Sequence, residues 1–181
     1  MDKHIFRKRK ALTKDQCENI IKIFENINQP GVYTDQKRDE SEGRGYICVA
    51  GDLSLEKYKD LDGALTNGLS EYRRKHPVVD KLYKWGPQHT FNIQKYNPGF
   101  SYANEHCEEI PFGPDFRILA WMFYLNNIKY KGGTCWPQQN FKSKPEIGDL
   151  YIWPAGWSYS HYGIAAPKEV KYIATGWGVL I

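Results

Sequence analysis

The chain has 181 residues, a net charge of +4, 41% apolar residues and 15% aromatics. That length suits one domain with a sizeable core, and the aromatic content excludes a disordered chain. The mild charge excludes a dedicated nucleic-acid binder, and no run of 18 apolar residues offers a membrane span. Basic residues near the start are followed by no apolar stretch of the kind a secretory signal needs, so a cytoplasmic protein is expected. The four cysteines, Cys17, Cys48, Cys107 and Cys135, form no C-x-x-C pair, which argues against a structural zinc site and for reduced thiols.

In chain order, the basic stretches "HIFRKRK" (4–10) and "YRRKH" (72–76) read as solvated faces. Thr13 and Gln16 have capping-box spacing, and Cys17, Ile20, Ile21, Phe24 and Ile27 follow at helical intervals. A helix over about 14–26 is predicted, stopped by "NQPG". Residues 35–45, "DQKRDESEGRG", read as a charged loop between short strands. A second helix begins after Ser54, with Tyr58, Leu61, Leu65, Leu69 and Tyr72 as its apolar stripe, and ends at His76 and Pro77. From Trp85 onward, runs of Tyr, Phe, Ile, Val and Trp alternate with "NPG", "GPD", "KGG", "EIGD" and "PAGW" turns. That texture predicts a sandwich or barrel, and the order as a whole an α+β, mainly β fold with the helices packed on one sheet.

His106 and Glu108, in "HCE", would point the same way on a strand, because residues i and i+2 share a face. His161 lies 55 residues beyond His106, after the strand "DLYIWP". Two histidines and a carboxylate with open positions form the ligand set of non-haem Fe(II) oxygenases. The bland alternative for His161 is a loop histidine bonded to backbone. Lys171 follows ten residues later and shares a strand face with Ile173, Thr175 and Trp177. Either it faces inward and needs an anionic partner, or it is a turn-exit lysine with its head in water. Cys107, between the two ligands, should face the other side and pack in the core.

These pieces, in order "YNPGFSY", "HCE", "RILAWMFYLN", "KGGTCWP", "KPEIGDLYIWP", His161 and "KYIATGW", resemble the Fe(II)/2-oxoglutarate-dependent dioxygenases of the prolyl 4-hydroxylase-like branch, of the small stand-alone bacterial and viral type. The resemblance covers residues 85–181 tightly. It implies one domain over 1–181, with 1–84 as helical and strand support and 85–181 as a double-stranded β-helix (jelly-roll, cupin-like) catalytic core. It implies that His106, Glu108 and His161 bind Fe(II). Lys171 and Tyr124 would hold the distal carboxylate of 2-oxoglutarate, Tyr96 would sit beside metal and cosubstrate, and Trp177 would wall the pocket. Parity from Tyr96 places Asn92 and Gln94 either at the substrate mouth or on the outer face of an edge strand. Arg38 and Arg44, in the loop at 35–45, would meet a polar peptide or face solvent.

The implied activity consumes 2-oxoglutarate and O₂, hydroxylates a C–H bond, foremost of a prolyl residue in a peptide or protein, and releases succinate and CO₂. The same chemistry on another residue or a small metabolite, or an inactive β-helix binding module, are the alternatives. Two departures stand out. The usual carboxylate ligand of the branch is Asp, whereas this chain has Glu108 with Glu109 beside it, and the spacer from Tyr102 to His106 is one residue longer than the branch's usual one, as a bulge would make it.

Overall fold

The computed structural model describes residues 2–26, 32–33, 48–109 and 116–181, and only the backbone at 32–33 and 48–52. The loop at 35–45, with Arg38 and Arg44, lies outside the described residues.

Helix α1 spans Lys14–Glu25. Its start is fixed as the sequence predicts: Gln16 N donates to Thr13 Oγ1 at 3.2 Å, and Thr13 N donates to Gln16 Oε1 at 2.9 Å. Cys17, Ile20 and Phe24 are buried along one side. The second helical region is less simple than the single helix expected. A 3₁₀ turn at Leu55–Lys57 precedes α2, Lys59–Lys75, and Pro77 opens a separate short helix α3, Pro77–Leu82. Proline ends one helix because its ring blocks the preceding turn, and starts the next because its φ is already helical. Along α2, Leu61, Leu65, Leu69 and Tyr72 are buried as the stripe predicts.

Eleven strands follow one another among the described residues. Eight form a large antiparallel sheet: β1 (Phe6–Lys8), β2 (Val32–Tyr33), β3 (Cys48–Ser54), β4 (Trp85–Pro87), β5 (Thr90–Tyr96), β6 (Arg117–Tyr124), β9 (Leu150–Pro154) and β11 (Lys171–Leu180). Their order is β1-β9-β6-β11-β5-β3-β2, with β4 paired to the far end of β11. β7 (Thr134–Trp136), β8 (Phe141–Lys142) and β10 (Tyr162–Gly163) form a small second sheet in the order β10-β7-β8.

Period-two alternation sorts the large sheet into two faces. Phe91, Ile93, Leu119, Trp121, Phe123, Leu150 and Ile152 face the helices and share a core with Phe24, Leu61, Leu65 and Tyr72. Tyr96, Ala120, Met122, Tyr124, Tyr151, Trp153 and Ile173 face the other way and pack with Trp136 of the small sheet. Helices on one face and a second sheet on the other make the double-stranded β-helix arrangement, with the site between the sheets.

One expectation is corrected here. The N-terminal basic stretch is not a solvated face. Phe6–Lys8 forms the edge strand β1 on β9, Ile5 and Phe6 are buried, and Arg7 Nε donates to the buried Asp149 at 2.7 Å. Strand pairing plus a buried carboxylate outweigh the hydration of the cation.

Gly148 ties α1 to β9. Its φ is +80°, Leu12 N donates to its carbonyl at 3.1 Å, and an added Cβ would stand 2.0 Å from the Leu12 carbonyl oxygen. Because backbone cannot yield as a side-chain tip can, Gly148→Ala should cost about 2–4 kcal/mol in urea unfolding. A loss below about 1 kcal/mol would mean that the turn relaxes freely.

Candidate active site

The site begins with a backbone pairing. His106 N donates to the His161 carbonyl at 3.0 Å, and His161 N donates back to His106 at 2.8 Å. This isolated antiparallel bridge sets the two histidines side by side, with ring centroids 4.5 Å apart. His106 Nδ1 lies 2.8 Å from the Asn104 carbonyl and His161 Nδ1 lies 3.0 Å from the Tyr159 carbonyl. A ring that gives its Nδ1 proton to a carbonyl presents a lone pair at Nε2, the form a metal takes.

Glu108 arrives by a route the sequence did not show. Residues 107–109 form no strand. Instead Glu108 N and Glu109 N both donate to the Ala155 carbonyl, at 3.0 and 2.9 Å, a crowding of two amides on one acceptor that turns Glu108 inward. Cys107 is consequently half-buried rather than packed in the core. Glu108 Oε1 stands 3.5 Å from Nε2 of each histidine. One donor atom from each of the three residues falls within a 4.8 Å cluster, and Glu109 is not in it. Donors about 2.1 Å from an ion and adjacent in its coordination sphere stand about 3 Å apart, so small side-chain movements would close this set on a cation.

The other carboxylate oxygen is held from behind. Trp177 Nε1 donates to Glu108 Oε2 at 2.7 Å, and the Arg117 guanidinium stacks 3.5 Å over the Trp177 ring with Nη1 3.7 Å from the same oxygen. Burial opposes ionisation of Glu108, but its contacts with His106, His161 and Trp177 outweigh burial and hold its carboxyl well below the usual range. Burial likewise lowers the pKa of His106, and Glu108 with the Asn104 carbonyl more than reverses it, so the net direction is upward.

The three residues line a cavity of about 220 Å³ between the sheets. That is below the ~300–1,000 Å³ of drug-sized sites and suits a small acid. β11 contributes Lys171, Ile173, Thr175 and Trp177, every second residue. β5 contributes Asn92, Gln94 and Tyr96, in register as Lys171 with Tyr96, Ile173 with Gln94 and Thr175 with Asn92. Asn92 and Gln94 thus face the cavity, and Gln94 accepts from the Tyr96 hydroxyl at 2.6 Å.

Lys171 is 3% exposed, with its ammonium 4.6 Å above the Tyr96 ring. It makes no ion pair with a carboxylate among the described residues, and burial pulls its pKa down from 10.5 to about 8. A shift of that size corresponds to about 3 kcal/mol of desolvation cost at neutral pH, which an anion in the cavity would offset.

Tyr124 is inward-facing but does not line the cavity. Its hydroxyl, fully buried, bonds Ser143 Oγ at 2.6 Å and Thr134 Oγ1 at 3.2 Å, and Thr134 lies between it and the cavity. Tyr102, Met122, Thr134 and Trp153 line the cavity without having been singled out as site residues. Strand parity with Tyr124 could have found Met122. Arg117 carried no local signal, because its partner ring is 60 residues away in the chain.

No protein-family model matches the chain, and no curated protein matches it significantly in sequence. Solved structures do match its fold. A viral collagen prolyl hydroxylase from Paramecium Bursaria Chlorella virus-1, in its 2OG complex, superposes with a TM-score of 0.70 at 16% identity, over 98% of this chain and 97% of that one. A Pseudomonas putida prolyl-4-hydroxylase gives 0.70 at 14% identity, over 98% and 93%. A Trichoplax adhaerens prolyl hydroxylase, in complex with a hypoxia inducible factor oxygen degradation domain peptide fragment, gives 0.70 at 16% identity, over 98% and 84%. The chain has the double-stranded β-helix fold of the prolyl 4-hydroxylases.

The indole bond to Glu108 is testable apart from turnover. Trp177→Phe keeps the ring and removes the N–H, and should weaken Co(II) or Fe(II) affinity about 10- to 100-fold in anaerobic titration. Unchanged affinity would show that Arg117 and packing suffice to hold the carboxylate.

Proposed function

We propose that the chain is a single-domain Fe(II)- and 2-oxoglutarate-dependent oxygenase that hydroxylates a prolyl residue in a peptide or protein. The observation that carries the reading is the placing, in one small cavity, of a two-histidine, one-carboxylate cluster and a buried lysine with no carboxylate ion pair among the described residues. The shared fold supports it. Free Cys17, Cys107 and Cys135 suit a reducing, cytoplasmic setting, and no helix among the described residues is long and apolar enough to cross a membrane.

His106, Glu108 and His161 would hold Fe(II), and nitrogen and carboxylate donors suit that ion. With 2-oxoglutarate and O₂, the iron supplies oxidative hydroxylation of a C–H bond with release of succinate and CO₂. The residues do the rest. Glu108 stays ionised and offers Oε1, because Trp177 and Arg117 occupy the side of Oε2. Lys171 binds the distal carboxylate by a charge-assisted hydrogen bond, strong because water is excluded there. Tyr96 flanks the lysine and orients it through its ring face. Tyr124 acts at one remove, fixing the Thr134 hydroxyl that faces the cavity. Asn92 and Gln94 line the same wall as polar contacts for the substrate backbone, and Arg38 and Arg44 belong to the same proposal as peptide contacts.

The direct test is turnover with proline-containing peptides: succinate forms in step with a peptide mass gain of one oxygen on proline. His161→Ala should abolish both. Succinate from peptides without proline, at equal rate, would move the hydroxylation to another residue.

Lys171 gives a second test with a worked sign. Its folded pKa lies below its unfolded value, so the cost of burying the charge is fully present below about pH 8 and fades toward 10.5. Lys171→Met should therefore raise the stability of the ligand-free protein by about 1–3 kcal/mol at pH 7 and lower 2-oxoglutarate affinity by at least ~100-fold. In the parent protein that affinity should fall as pH rises through about 8. A variant that is no more stable and binds 2-oxoglutarate normally would return Lys171 to a structural role.

A further inference from the structure

We propose that a lysine-lined groove adjoining the cavity binds an acidic segment of the polypeptide substrate. Calling that polypeptide a substrate rests on the oxygenase reading, whereas the preference for acidic chains rests on the groove alone.

The groove, about 780 Å³, opens between the loop at 99–103, the turn at 128–133, the β7–β8 hairpin and β10. Gly163 lines both the groove and the catalytic cavity, so the two hollows share a wall. Lys129, Lys131, Lys142 and Lys144 line the groove, and among the described residues no Asp or Glu does. All four are exposed. Of the four ammonium groups, Lys144's alone pairs with a carboxylate among the described residues, Glu146 at 3.5 Å, which is shared with Arg7 at 3.1 Å; Glu169 accepts from the backbone N–H of Lys129 at 2.8 Å.

A second hollow shares Lys129 and Lys144 and continues past Arg9 and Lys10. Its own acids, Glu146 and Asp149, are both engaged by Arg7. Six cations thus line two adjoining concavities of a chain whose net charge is only +4. Concave walls concentrate such a field, and lysines left unpaired keep their charge for a partner.

The size and place select the occupant. The groove exceeds the catalytic cavity more than threefold in volume, too roomy for a small dicarboxylate. It adjoins the catalytic cavity at Gly163, so an extended acidic chain flanking the reacting residue could lie along it. A nucleic acid would call for exposed aromatic stacking, and among the described aromatics beside the groove Tyr130 alone is strongly exposed, at 62%, with its face already under Lys131.

The test is binding of labelled peptides to the full chain by fluorescence anisotropy, beside 2-oxoglutarate turnover. The probes are a proline peptide flanked by glutamates, its counterpart flanked by glutamines, and a single-stranded oligonucleotide. The acidic peptide should bind about tenfold tighter than the neutral one at low salt, and the advantage should vanish toward 1 M salt. Lys129→Glu with Lys142→Glu should remove the preference, whereas Lys81→Glu with Lys84→Glu, exposed on and after α3, should keep it. Equal affinity for both peptides, or a preference that survives the groove reversal, overturns the proposal, as does groove-dependent binding of the oligonucleotide alone. An intact acidic preference in a protein without 2-oxoglutarate turnover upholds the groove and removes the oxygenase reading instead.

Discussion

The site depends on one backbone contact, the pair of hydrogen bonds between His106 and His161. The segment that carries His106 and Glu108 has almost no strand pairing of its own. The bridge joins it to the end of the small sheet, and the Ala155 carbonyl, just past β9, takes the amides of Glu108 and Glu109. Three donor side chains from two distant stretches converge because two short backbone anchors hold an otherwise irregular loop. Their orientation then follows from the backbone too, since carbonyls at Asn104 and Tyr159 fix both imidazoles.

Around that contact the electrostatics divide the cavity into a cation end and an anion end. At one, a carboxylate is kept ionised against its burial by two imidazoles and an indole. At the other, a buried lysine has an aromatic face beneath it and no carboxylate ion pair among the described residues. The lysine end is costly in a ligand-free protein. Together the two ends suit a cation beside the carboxylate and a small acid beside the lysine.

Much of this was legible because strands obey a strict two-residue period. The parity of "TFNIQKY" groups Asn92, Gln94 and Tyr96, and that of "KYIATGW" groups Lys171, Ile173, Thr175 and Trp177; the structure adds the register that sets Tyr96 beside Lys171 and turns both sets to the cavity. The capped α1 and the stripe of α2 were readable for the same reason, a regular period with a local start signal. What was not legible lacked a period. The "HCE" segment forms no strand, and the backbone there is held by the Ala155 carbonyl, a partner far along the chain that takes the amides of both Glu108 and Glu109. The basic N-terminus gives no hint that it closes the edge of the large sheet, because Asp149 decides it. Tyr124 had the right face, but whether its hydroxyl reaches the cavity turns on Ser143 and Thr134, which no spacing rule connects to it.

The most direct test of the account is anaerobic addition of Fe(II) and then 2-oxoglutarate to the purified protein, followed by visible absorption. The account predicts a charge-transfer band from a keto acid chelated to iron, present in the parent chain and in Glu109→Ala, and lost in Glu108→Ala. A folded parent protein that gives no band, or a band undiminished in Glu108→Ala, would contradict it.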